Sequence, residues 1–339
     1  MRVAVFSAPG VVELRDEPEL GLGPDEVLVE VGACGLCTME RRLFLGEKKI
    51  YPVAPGHEVG GPVIEVGDAV RGLPGAPQVG EVVAVDLRTR CGTCTSCRRG
   101  RTAVCKQAQG GTLDDGTISM GAGLADHVVV PARQAWATGD ASVDHASMGE
   151  PLACVVHSVG LSRFQPGDRV AVIGAGYMGR LHLALLRSLG AYAVGVIDID
   201  ERRRQEAQAA GATWTADPGT AQQVGDFQDI VFVTAGAPGV LELALSLCDD
   251  GGTIVLYGAF PKELSVGVEP DLMHHRELSI VGVFNQEPED WRTATAMIRS
   301  GTLATQLDEL VTARFRLADV AEALRLATNS PVYRVLVGG

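Results

Sequence analysis

Short β-like apolar runs dominate the chain up to about residue 150: VAVFSA, EVLVEVGA, VGGPVIEVG, EVVAVDL and DHVVVP, separated by Gly, Pro and Asp turns. Runs of this length and composition predict strands, and the turn residues between them predict an all-β, partly barrel-like unit. From about residue 155 the texture changes. RVAVIGAG is a continuous apolar strand run, YMGRLHLALLRSLGA repeats with a helical period, and AVGVIDID is a second strand. The charged helical stretch ERRRQEAQAAGA follows, then the strand DIVFVTAG, the helix GVLELALSLC and the strand GGTIVLYGAF. Strands alternating with helices predict βαβ units and an α/β fold whose parallel sheet is covered on both faces. Two further helical stretches, WRTATAMIRSG and LADVAEALRLATN, precede a last strand, VYRVLVGG, which is expected to return to the first unit. The expected division is 1–152 with 290–339, and 153–289.

A length of 339 residues agrees with two domains, since one typical core would be exceeded. With 46% hydrophobic residues and charges of both signs the chain is globular in composition, and no apolar run is long enough to span a membrane. The net charge of −13 disfavours a nucleic-acid partner, which calls for a basic face, and favours a small-molecule ligand. The chain opens on the strand-like MRVAVF and not on a leader-like segment, so a reducing, cytoplasmic setting is expected.

That setting changes the meaning of CGTCTSCRRGRTAVC, which packs Cys91, Cys94, Cys97 and Cys105 into one short stretch. Clustered cysteines in a reducing compartment more often bind metal than pair. Thiolates at this spacing converge on one tetrahedral zinc with every position taken, and closed sites of this kind support structure. An iron–sulfur cluster is the competing reading, but there a short CxxC triplet usually ends in CP, whereas Lys106 follows Cys105. A surface lobe over about 88–108 is expected.

Gly174, Gly176 and Gly179, with Tyr177 and Met178 between them, follow the strand RVAVI and open a helix. That context gives the GxGxxG pattern its meaning: a tight turn, a close backbone approach to a pyrophosphate, and a helix packed on its strand. Asp198 ends the next strand, where a carboxylate accepts from the ribose hydroxyls and repels a 2′-phosphate. NAD is therefore expected over NADP. Arg202, Arg203 and Arg204 read as a solvated first turn of helix, although an arginine such as Arg203 also accommodates a phosphate.

Cys37, His57, Glu58 and Glu150 form a second, sparser set of candidate metal ligands. A thiolate, an imidazole and a carboxylate suit zinc, and three protein ligands leave a position for substrate. No spacing rule links residues so far apart, and a lone HE pair or lone cysteine is ordinarily structural.

The segments ACGLC, PVAPGHEVGGPVIEVG, the four-cysteine lobe, GEPLACVVHS and QPGDRVAVIGAGYMG, in this order, resemble the zinc-dependent medium-chain dehydrogenase/reductase superfamily, which includes the alcohol dehydrogenases. Within it the chain is similar to the polyol and threonine dehydrogenase branch, which carries EP where other alcohol dehydrogenases carry a second zinc cysteine. The resemblance implies a GroES-like catalytic domain joined to a Rossmann domain, with two zinc ions per chain. Cys37, His57 and Glu150 would ligate the catalytic ion, Glu58 would stand beside it and exchange with Glu150 or water, and the four-cysteine lobe would hold the structural ion. It further implies hydride transfer between NAD and a secondary alcohol (a polyol, cyclitol, sugar-like or amino alcohol), giving the ketone or the reverse. Thr234, Ala235, Gly236, Val283 and Phe284 would contact nicotinamide, Phe44, Asn285 and Trp291 are candidate substrate contacts, and a homodimer or homotetramer is expected.

Three positions depart from that pattern. Met39 and Arg42 stand where the branch places its proton relay, leaving Thr38, a water path through Glu58, or the substrate's own hydroxyls to carry the proton. Glu40 stands where an Asp usually orients the zinc histidine. A reductase of an iminium or activated alkene, which needs no such relay, is the alternative enzyme reading, and a non-catalytic NAD-binding protein is the alternative outside enzymes. Cys34 reads as a packed thiol, Cys154 and Cys248 as thiols on apolar helical faces, His157 as structural, and Asp226 and Asp229 as turn and cap residues.

Overall fold

Val27 and Val29 are fully buried while their neighbours face outward, the alternation that makes Glu26–Glu30 a strand. It pairs antiparallel on both sides, with Glu58–Val66 and with His127–Pro131. In the computed structural model, which describes residues 1–107, 111–113, 115–225 and 227–339, the chain forms two compact units. One is Met1–Ala153 with Glu287–Gly339, and the other is Cys154–Gln286. Asp226 and the last residue of the expected cysteine lobe lie outside the described residues.

The first unit is β-rich. A four-stranded sheet is built on Arg2–Ala8 and Val11–Asp16, and an eight-stranded sheet runs through Val82–Asp86, Glu58–Val66 and Ala33–Gly35. The last strand, Arg334–Val337, enters that sheet between Ala33–Gly35 and Val311–Phe315. The C-terminal segment therefore completes this unit and not the other. Its core gathers Phe6, Val29, Leu43, Val83 and Val335, with the helix Val320–Asn329 packed over them through Ala323 and Leu324.

In the second unit, Val170 to Ile173 and Val194 to Ile197 are buried in unbroken runs, as a sheet covered on both faces demands. Six parallel strands lie in the order Trp214–Ala216, Ala193–Ile197, Arg169–Ile173, Gln228–Val233, Cys248–Leu256 and Ser279–Gly282. The order reverses between Arg169–Ile173 and Gln228–Val233, and the switch point of a doubly wound sheet is where dinucleotides bind. Cys248 corrects the expectation of a helical face: it opens the strand Cys248–Leu256, because the helix Val240–Leu247 ends one residue earlier. No helix among the described residues is long and apolar enough to cross a membrane.

Candidate active site

Cys37 ends one segment and starts a helix. Its Sγ accepts from Met39 N at 3.1 Å, so the thiol is the N-cap of Thr38–Phe44. Glu40 closes the capping box by accepting from Cys37 N at 3.0 Å. The same carboxylate faces His57 Nδ1 at 3.2 Å and accepts from Gly56 N at 3.2 Å. Burial alone would raise Glu40, but the facing His57, with hydrogen bonds from it and from Cys37, outweighs this and holds the carboxyl at about 2. Glu40 is thus ionised at neutral pH. Against burial, which lowers it, the two acidic neighbours Cys37 and Glu40 raise His57 well above its ordinary value. The contact with Glu40 keeps a ring proton on Nδ1, so that Nε2, 3.3 Å from Cys37 Sγ, is the atom that could meet a metal ion. The longer side chain found in place of Asp reaches the histidine and caps the helix as well.

Glu58, next in the chain, opens the strand Glu58–Val66. Its Oε1 lies 3.1 Å from Arg334 Nη2, and Oε2 is buried without a hydrogen-bond partner among the described residues. Burial pushes this carboxyl up to about 7 against the pull of Arg334, and the neighbouring Glu150 adds to the rise. Gly35 leaves room beside it: a Cβ there would sit 2.2 Å from Glu58 Oε2 and displace the carboxylate. Glu150 stands in the first turn of the helix Gly149–Leu161. Ligand atoms of Cys37, Glu40 and His57 lie within 4.8 Å of one another, and so do those of His57, Glu58 and Glu150, so His57 joins the two groups. Sulfur, imidazole and carboxylate donors around a buried, unengaged carboxylate oxygen fit a zinc ion. Burial pushes the Cys37 thiol up to about 11, reinforced by Glu40, and a divalent cation is what would ionise it.

Arg334 escaped the sequence reading. The available signal was one arginine inside the apolar strand VYRVLV: a charge buried to 5% exposure calls for a partner. It finds Glu58 and donates to Leu36 O.

The four Sγ atoms of Cys91, Cys94, Cys97 and Cys105 also lie within 4.8 Å of one another. Cys94 caps the turn Thr95–Arg98 by accepting from Cys97 N. Backbone N–H groups of Cys94 and Thr93 pull the Cys91 thiol down to about 6, while burial among its neighbours pushes Cys97 up to about 12. Four sulfurs so gathered fit a closed tetrahedral site.

In the second unit the glycine turn is packed as its spacing predicts. Gly174 has φ +108°, and a Cβ on Gly179 would sit 1.8 Å from Gly174 O. At Gly176 a Cβ would meet only Arg203 Nη1, at 3.9 Å, so the space in front of this residue is open to a phosphate. Asp198 Oδ2 accepts from Ala175 N at 2.7 Å, bringing the carboxylate against the turn. Arg203 extends over Gly176, and Arg204 is engaged elsewhere, donating to Asp198 O and Ile199 O. Thr234 Oγ1 lies 3.0 Å from both Ile173 O and Gly174 O, so this hydroxyl braces the turn. Ala235 N donates to Ile173 O, and Gly236 is held against Ala259 O, which a Cβ would approach to 2.0 Å. Tyr177 and Met178 occupy the first turn of Tyr177–Ser188; Val283 N donates to Leu256 O, and Phe284 is 64% exposed.

Two candidate substrate contacts are corrected. Trp291 is fully buried and stacked on Trp136 with ring centroids 6.4 Å apart, which leaves it no atom to touch a substrate. Phe44 is 9% exposed and packs edge-on against Phe6 in the core. Asn285 sits at φ +57°. At the relay positions, Met39 packs against the core, Thr38 is exposed, and Arg42 pairs with Glu47 at 3.1 Å.

Comparison with known proteins bears on the family and the fold. Residues 23–140 match the alcohol dehydrogenase GroES-like domain and residues 178–300 match the zinc-binding dehydrogenase domain. L-threonine 3-dehydrogenase of Thermococcus kodakarensis is 32% identical over 309 residues, covering 87% of this chain and 85% of that one. D-altritol 5-dehydrogenase of Agrobacterium fabrum is 33% identical over 292 residues, 83% of each chain. A crystal structure of a protein assigned as a zinc-binding dehydrogenase from Sinorhizobium meliloti 1021, bound to NADP, superposes with a TM-score of 0.88 at 30% identity, covering 100% of this chain and 99% of that one. With matches over both units, the chain belongs to the zinc-dependent medium-chain dehydrogenase/reductase superfamily, in its polyol and threonine dehydrogenase branch.

Proposed function

We propose that this alcohol/polyol oxidoreductase transfers hydride between a secondary alcohol and NAD at a zinc centre formed by Cys37, His57 and Glu150, with Glu58 beside them. The observation that carries the reading is the convergence of Cys37 Sγ on His57 Nε2 at 3.3 Å, with a buried carboxylate oxygen of Glu58 left unengaged. A zinc ion bound there supplies Lewis acidity toward the substrate oxygen, and the nicotinamide supplies the hydride acceptor.

The chain's own residues do the rest. Glu40 keeps a ring proton on His57 Nδ1. Met39 has no proton to give or take, so Glu58 Oε2, with the fixed charge of Arg334 on its other oxygen, is the group to which a proton would pass through water. Asp198 beside the glycine turn favours a free ribose hydroxyl and so NAD, although Arg203 over Gly176 offers a partner for a phosphate. The four-cysteine lobe would hold a second, structural zinc. The half-exposed edge strand Ser279–Gly282 supports assembly of copies of this chain through that edge.

A panel of secondary alcohols tests the reading. NADH formation that is lost on chelation and restored by zinc, with NAD preferred by kcat/KM, supports it; a chelated protein that still turns over, or NADP preferred tenfold, contradicts the zinc or the NAD part respectively.

A further inference from the structure

Glu287 lies 185 positions from Thr102 in the chain, yet its carboxylate accepts from Thr102 N at 2.8 Å, from the Thr102 hydroxyl, and from Ala103 N at 2.8 Å. These donors open the 3-10 turn Thr102–Val104, which Arg101 does not cap with its side chain. The same Glu287 is the N-cap of the helix Pro288–Arg299, where its side chain and that of Asp290 form a capping box. One carboxylate therefore caps two helical segments. Arg88 grips the other end of the Ala103 residue, donating from Nη2 to Ala103 O at 2.7 Å.

The turn so held lies directly between Cys97 and Cys105, and Cys105 N donates to Thr102 O at its end. Cys91, Cys94 and Cys97 are placed by local turns of their own, with N–H groups of Cys94 and Cys97 donating to the sulfurs of Cys91 and Cys94. Cys105 comes from the far end of the turn, and next to it the backbone N–H of Lys106 is directed to Cys94. Its sulfur lies 3.6 Å from Cys91 Sγ and 4.0 Å from Cys94 Sγ, at the end of the turn that Glu287 holds.

We infer that Glu287 is a positioning residue for the lobe's metal: by capping Thr102–Val104 it holds Cys105 in place as the fourth ligand, so that retention of the ion depends on a residue at the start of a distant helix. Partners one step behind metal ligands typically govern affinity by about 10–100-fold. The inference rests on the two-zinc reading above.

The test is the rate at which zinc passes to a chromogenic chelator, with total metal counted by elemental analysis, in wild type, Glu287→Ala and Asp290→Ala. Asp290→Ala removes half of the capping box of Pro288–Arg299 but leaves the lobe contacts intact, so it controls for weakening of the helix. The expected result is two zinc ions in wild type, with one of them released at least tenfold faster in Glu287→Ala and at the wild-type rate in Asp290→Ala. Equal release from wild type and Glu287→Ala, or equal acceleration by both substitutions, overturns the inference. A wild-type chain with a single zinc, retained when Cys97 is replaced by Ser, refutes the two-zinc reading and removes the inference with it.

Discussion

Glu58 Oε1 lies 3.1 Å from Arg334 Nη2, and both residues are at most 5% exposed. A buried ion pair of this kind is costly to break, because the surviving charge has neither water nor partner. Arg334→Met should cost about 3–5 kcal/mol in denaturant unfolding. Glu58→Gln with Arg334→Met should recover most of that loss, since neither charge is then left alone. If the double variant is as unstable as the sum of the singles, the two residues act independently and the pairing is not what holds them.

Glu40 joins three donors: Cys37 N, Gly56 N and the ring of His57. Removing it frees the histidine to rotate and uncaps the helix that carries Cys37. Glu40→Ala should lower the affinity of the catalytic zinc by about 10–100-fold in competition with a chelator. Glu40→Asp should fall nearer to wild type. Unchanged affinity in the alanine variant would separate this carboxylate from the metal site.

Gly176 and Gly179 should fail differently. A Cβ at Gly179 collides with Gly174 O, whereas one at Gly176 meets only Arg203 at 3.9 Å. Gly179→Ala should therefore lower the melting temperature. Gly176→Val should leave it near wild type and weaken cofactor binding, read by quenching of protein fluorescence. Tight NADH binding by Gly176→Val would place the pyrophosphate elsewhere.

His182 makes the second unit acid-sensitive. Its ring is fully buried, with Nδ1 2.8 Å from Met178 O, Nε2 3.0 Å from Ser158 Oγ, and the rings of Phe232, tilted, and Tyr257, edge-on, packed beside it. Burial lowers it from 6.5 to about 4. The unfolded chain takes up this proton as pH falls through 6.5, and the folded chain does so only near 4. The stability is fully present above the first value and is lost progressively toward the second, by about 3 kcal/mol. In His182→Gln the slope of unfolding free energy against pH over that window should flatten. An unchanged slope would assign the acid sensitivity to other groups.

Much of this architecture was legible in the chain itself, for local reasons. Glu26–Glu30 carries a glutamate at each end and Arg169–Ile173 is apolar from Val170 to Ile173, and their burial follows, alternate in the first and unbroken in the second. The glycine turn and the four cysteines are contiguous, so spacing alone carries their chemistry. What escaped depends on contacts between distant segments. Glu58 with Arg334, and Glu287 with Thr102, are joined only by the fold. Thr38–Phe44 is a seven-residue helix, too short for its period to show. Cys248 was misplaced because GVLELALSLC passes from helix into strand without a glycine or proline between them. Trp291 was offered to substrate because an aromatic residue near a helix start looks the same in sequence whether it faces a ligand or the core.

The central claim, that hydride transfer depends on the metal centre at Cys37 and not on the lobe, is tested most directly by Cys37→Ser. NADH formation with a secondary alcohol that the wild type oxidises should be measured beside zinc content and the unfolding midpoint. The account predicts a folded protein that keeps one zinc, loses the other, and shows less than about a thousandth of wild-type turnover, as loss of several kcal/mol of metal-borne charge stabilisation requires. A folded Cys37→Ser variant that turns over at the wild-type rate would contradict it.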